Sequence, residues 1–136
     1  MKKIILLLSI FTLSLFTLAS EPIAMDKQMF VERVFNLQSD EWAYKGDRPA
    51  IINFWASWCA PCRLFARTLT QIANEFGDDI YVYKINVDEQ PELATAFGVR
   101  TLPFTLFVPM EGTPQARLGN MSRLTVRRTV NQFLLN

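Results

Sequence analysis

The stretch Trp58-Cys59-Ala60-Pro61-Cys62 constrains this chain more than any other. It holds both cysteines and lies between an apolar run, Ala50 to Trp55, and a helical pattern running from Pro61 to Phe76. A buried strand, a tight turn and a long helix must therefore meet at a Cys-x-x-Cys pair. The loop between the cysteines is too short to staple a fold, because a structural disulfide gains by closing a long loop. A structural zinc site wants four Cys or His ligands. The chain has two Cys and no His, so no metal is expected. The missing histidines also exclude Cys–His and Ser–His catalysis.

The rest of the chain is legible around that pair. Met1-Lys2-Lys3 is a short basic start, Ile4 to Ala19 is uncharged, and Glu21-Pro22 ends the run. That layout is a secretory signal peptide. Small residues at Thr17 and Ala19 place cleavage after Ala19, with Ser20 as the next choice. The expected organisation is a leader over 1–20 and one domain over 21–136. The alternative is that the uncleaved segment anchors the protein, although the run is short for a membrane span. The mature protein is expected in the periplasm or otherwise outside the cytoplasm, where disulfides persist. Of the 14 Lys and Arg, loss of Lys2 and Lys3 leaves 12 against 13 Asp and Glu. That balance is no footprint for nucleic acid.

Periodicity predicts a helix over Asp26 to Leu37, then a loop containing Trp42, Tyr44, Gly46 and Pro49. Strands follow at 50–55 and 80–87, with the Pro61–Phe76 helix between them and Gly77 as its stop. A short helix carries Pro91 in its first turn and ends at Gly98. Strands at 101–108 and 115–118 form a hairpin around Gly112. Ser122 caps a last helix with Val126, Val130, Phe133 and Leu134 inward and Arg123, Arg127 and Arg128 in solvent. A βαβ unit followed by a hairpin and a closing helix is an α/β sandwich, a mixed central sheet with helices on both faces.

The segment Asn53-Phe54-Trp55-Ala56-Ser57-Trp58-Cys59-Ala60-Pro61-Cys62-Arg63 closely resembles the active-site segment of thioredoxins. Lys84-Ile85-Asn86-Val87-Asp88 is similar to the exit of that family's third strand. Phe97-Gly98-Val99-Arg100-Thr101-Leu102-Pro103 is similar to the approach to its cis-proline. The resemblance implies a thioredoxin fold and a monomeric thiol–disulfide oxidoreductase that reduces protein disulfides. Its only redox group would be the Cys59–Cys62 pair, with no separate cofactor, and outside the cytoplasm it would need a membrane thiol or electron donor protein. A net oxidase or isomerase, or a non-catalytic binding module on the same fold, are the alternatives.

Exchange chemistry needs one thiolate to attack and a second thiol to resolve the mixed disulfide. Cys59 lies just before the helix, where unpaired N–H groups favour its anion, so it is the expected nucleophile. Cys62 is the expected resolving thiol, and the more buried of the two. Pro61 suits the first helical turn and restricts Ala60, which stands where the family usually has Gly. The Ala-Pro pair is close to the Gly-Pro of the family's reductases, so the resemblance implies a reductant. The resemblance further implies a cis Leu102–Pro103 bond and a shallow substrate groove of Trp58, Val87, Leu102, Pro103 and Gly119. Two departures stand out. Asn53 occupies the position of a buried Asp that moves the proton of the second cysteine, and an amide cannot ionise. Its usual Lys partner survives as Lys84, either as an electrostatic aid to thiolate formation or directed to solvent. Arg67 replaces a helix-kinking Pro, which implies a straighter helix.

Overall fold

The computed structural model describes residues 18–136, and the leader expected over 1–20 lies almost wholly outside them. Five strands form one sheet. They are β1 (Ile23–Ala24), β2 (Ala50–Trp55), β3 (Tyr81–Asn86), β4 (Phe104–Val108) and β5 (Gln115–Leu118), in the order β1-β3-β2-β4-β5. β3 runs parallel to both β1 and β2, while β4 runs antiparallel to both β2 and β5. The helices are α1 (Lys27–Arg33), α2 (Ala60–Phe76), α3 (Pro91–Ala96) and α4 (Arg123–Thr129), the last running on into a π-helical turn at Val130–Leu134. Among the described residues no helix is long and apolar enough to cross a membrane.

Strand alternation divides the core in two. Ala50, Ile52 and Phe54 of β2 join Phe30 of α1 and Leu93 of α3 on one face. Ile51 joins Phe65, Leu69, Ile72 and Phe76 of α2 and Val126 and Val130 from the C-terminal helix on the other. Side chains two apart share a face, so Asn53 lies on the α2 side of the sheet. α2 buries Cys62, Phe65, Leu69, Ile72, Ala73 and Phe76, which recur at helical spacing. It runs unbroken past Arg67, with the chain reversing at Gly77.

Several boundaries differ from the sequence expectation. α1 stops at Arg33 instead of Leu37. Lys45 N–H takes the Val34 carbonyl, and Asn36 starts a turn by accepting from Gln38 N–H through its side chain. Such side-chain bonds compete with helix. β4 starts at Phe104 instead of Thr101, because Pro103 brings no N–H to a ladder; the Leu102–Pro103 bond is cis. β1 is missing from the sequence reading, since two exposed residues after a proline carry no alternation signal. Arg123 and Arg127 do more than face solvent. Their guanidinium groups donate to Glu75 of α2 at 2.9 and 3.2 Å, tying α4 to α2. The hydrogen bond from Arg127 is the chief reason the Glu75 carboxyl titrates below its ordinary range; partial desolvation opposes it.

Candidate active site

α2 begins one residue after Cys59, which is its N-cap in extended conformation. Ala60 and Pro61 are the first two helical residues, positions whose N–H groups have no intrahelical partner, so the proline there sacrifices nothing. Cys62 follows at the third. Its backbone N–H points at Cys59 Sγ, 3.3 Å away. No acidic residue lies in the first turn of α2. The partial positive charge of the helix end therefore meets the Cys59 sulfur without a carboxylate of its own turn to offset it. The two cysteines are joined in a disulfide, with Cα atoms 5.3 Å apart. Both are buried, Cys59 at 4% exposure and Cys62 at 2%, in the expected order though nearly equal.

The residues expected around the pair fall into two groups. Val87 and Leu102 pack directly on the cluster of Ala56, Cys59 and Cys62. Pro103 is buried beside them, and its carbonyl accepts the Gly119 N–H at 2.8 Å. Gly119 has a φ of +81°, and a Cβ there would meet nothing within 4 Å, so it is the backbone conformation that calls for glycine. Trp58 stands apart at 68% exposure, its indole N–H donating to an Asp88 carboxylate oxygen at 2.9 Å. That bond holds a large apolar ring against solvent beside the cysteines. Ala60 and Pro61 are exposed next to it.

Beneath the pair, Asn53 is 3% exposed and lies opposite Lys84 on β3 and Thr105 on β4. Its amide nitrogen donates to Thr105 Oγ1 at 3.1 Å, and these two are the buried polar residues of the core. Lys84 is exposed, with its ammonium 5.9 Å from the centre of the Trp55 ring. Replacing Thr105 by Val leaves the Asn53 amide short of a partner inside the protein. The expected loss is about 1–3 kcal/mol of unfolding free energy, read from urea denaturation.

Three participants escaped the sequence reading. Trp55 packs on the cysteine cluster. It ends a strand that looks like uniform core, and only its place next to Ala56 hints at more. Asp88 anchors Trp58 from thirty residues away, a pairing without any local signal. Thr105 is the lone hydroxyl in an otherwise apolar strand, which is the sign of a buried partner. Among the described residues no group of three or more His, Cys, Asp or Glu is placed to hold a metal ion.

The thioredoxin family model matches residues 29–132. A thioredoxin of Borreliella burgdorferi is 33% identical over 112 residues, which is 82% of this chain and 96% of that protein. The chloroplastic thioredoxin M4 of Arabidopsis thaliana is 33% identical over 115 residues, 82% of this chain and 60% of that longer protein. The crystal structure of chloroplastic thioredoxin z superposes with a TM-score of 0.68 at 27% identity, covering 85% of this chain and 96% of that one.

Proposed function

The chain belongs to the thioredoxin family and is a thiol–disulfide oxidoreductase of the thioredoxin type, and from that premise we propose that it reduces protein disulfides outside the cytoplasm. The redox group is the protein's own disulfide, and the chemistry takes no cofactor. The reductant direction rests on the Ala60-Pro61 pair, close to the Gly-Pro of the family's reductases, and the single observation that carries the exchange chemistry is the placing of Cys59 as the N-cap of α2, with the Cys62 N–H aimed at its sulfur. A thiolate there is stabilised by an N–H donor and by the helix end, which favours the reactive form of the dithiol.

In the proposed cycle Cys59 attacks a substrate disulfide as a thiolate. A mixed disulfide forms and one substrate thiol leaves. Cys62 then attacks Cys59 Sγ, closing the internal disulfide and releasing the second substrate thiol. The dithiol gives up two electrons and the substrate disulfide gains them. Val87, Leu102, Pro103 and Gly119, with exposed Trp58, form the surface an extended substrate segment lies against. The leader over 1–20 directs export, and the mature protein acts as a monomer. A membrane-held thiol protein returns it to the dithiol form, because an exported reductant needs electrons carried across the membrane.

The test is the equilibrium potential of the Cys59–Cys62 couple against glutathione. A value near the roughly −270 mV of thioredoxin supports a reductant, and one near the roughly −120 mV of a periplasmic oxidase removes that direction.

A further inference from the structure

Asn53 cannot take the proton of Cys62, yet the structure opens a path from that cysteine to a different acid. A cavity of about 170 Å³ lies between α2 and the sheet, lined by Cys62, Asn53, Trp55, Ala66, Thr70, Lys84 and Glu21, among others. Among the described residues Glu21 supplies its only carboxylate. Lys84 and Arg63, the charged groups beside it, donate but have no lone pair to accept a proton. We infer that Glu21 is the proton acceptor for Cys62, reached through water in this cavity. The inference rests on the exchange cycle proposed above and supplies its missing base.

Glu21 is not on a loose tail. Ser20 N–H donates to the Asn74 side chain at 2.9 Å, the Thr70 hydroxyl donates to a Glu21 carboxylate oxygen at 3.3 Å, and β1 pairs with β3 just beyond. Asn74, Thr70, Ala66 and Cys62 recur every fourth residue, so they line one face of α2. Thr70 and Cys62 are separated by about 12 Å of helix rise. Ala66, the residue between them on that face, is small and leaves the way clear. The cavity has room for several waters at roughly 30 Å³ each, enough to bridge that gap. The walls of Pro22, Trp55 and Leu69 are apolar, which confines the water to the path between the polar groups.

The step balances as follows. Cys62 loses its thiol proton to the Glu21 carboxylate through water. The Cys62 sulfur bonds to Cys59 Sγ as the bond from Cys59 to the substrate sulfur breaks. The substrate leaves as a thiolate, and Glu21, now protonated, returns its proton to that thiolate or to solvent.

The probe is dithiobis(nitrobenzoate) mixed rapidly with the reduced protein. The first release of thionitrobenzoate reports attack by Cys59 and the second reports resolution by Cys62. Glu21→Gln is expected to slow the second release about tenfold or more near pH 7, at the low end of general-base effects because water intervenes. Glu21→Asp keeps the carboxylate and is expected to recover most of the rate. The groups that face Glu21 are Arg63, Thr70 and Lys84 across this cavity, and Arg48, Asp78 and Tyr81 across the neighbouring hollow. All but Glu21 are retained in the variants, so the change in pH profile belongs to it. Between about pH 6 and pH 8 the wild-type second release stays nearly flat, while that of Glu21→Gln rises with pH as hydroxide takes over as base. A wild-type second release in Glu21→Gln, or a slowing equal at every pH, overturns the inference while leaving the exchange cycle intact. Absence of the first release from the wild-type protein removes the cycle itself and this inference with it.

Discussion

Cys59→Ser is expected to lower disulfide reduction by at least about 10³-fold, to the background of the reductant alone. Cys62→Ser is expected to stop turnover equally but to leave a different trace. The two positions are not equivalent in the structure. Cys59 is the helix N-cap and receives an N–H from the residue it is bonded to. Cys62 lies inside the first turn and, with Asn53, lines the cavity. A hydroxyl at 59 abolishes the attack, so no adduct forms. A hydroxyl at 62 leaves the attack and abolishes the escape, so the mixed disulfide accumulates. Insulin reduction by dithiothreitol reads the turnover, and intact-mass spectrometry under non-reducing conditions reads the adduct. An adduct on Cys59→Ser, or none on Cys62→Ser, reverses the assignment of the two sulfurs. Adducts formed in a cell extract would also carry the identity of the proteins that exchange with Cys59.

The legible parts of this molecule are those with a local cause. The strand–turn–helix at the cysteines is written in a buried run, a proline at a first helical turn and a glycine after the last. The β4–β5 hairpin and the Ser122 cap are equally local. Boundaries shifted where a side chain competed with the backbone, as at Asn36, or where a proline brought no N–H to the ladder, as at Pro103. The site was legible as far as family resemblance named its members, and the structure brings Val87 and Leu102 onto the cysteines. What stayed hidden depends on side chains that meet only after folding. Asp88 reaches Trp58, Thr105 reaches Asn53, and Glu21 crosses from the segment before β1 to the flank of α2. A two-residue strand and an exposed glutamate carry no pattern. Only the sheet order, which sets β1 beside β3, puts them next to the active-site helix.

Asn53→Asp is expected to trade stability for speed, and the two effects share one cause. Asn53 is almost wholly buried against Thr105 on the α2 side of the sheet. A carboxyl there can donate to Thr105 Oγ1 when protonated, replacing the amide's bond. When ionised it must be desolvated, so its folded pKa rises above the roughly 3.9 of an unfolded Asp. The folded state then binds more protons than the unfolded state between those two values. Stability is therefore complete at acid pH and falls as pH rises through the folded pKa. A shift of about three units corresponds to about 4 kcal/mol at alkaline pH. Urea denaturation at acid and alkaline pH measures it, with the wild-type amide showing no such slope from this position. Over the same pH range the new carboxylate gains the ability to take the Cys62 proton, so resolution accelerates near neutral pH. In a Glu21→Gln background it restores a lost rate. A variant with wild-type stability at both extremes would mean that cavity water solvates the carboxylate fully. A variant with unchanged resolution would make Asn53 a neutral structural substitute. If both effects appear, the division of labour in this chain has a physical reason. A neutral amide holds the core without a pH-dependent cost, and the acid stands at the rim of the cavity, bonded to Thr70 and reached from Cys62 through water.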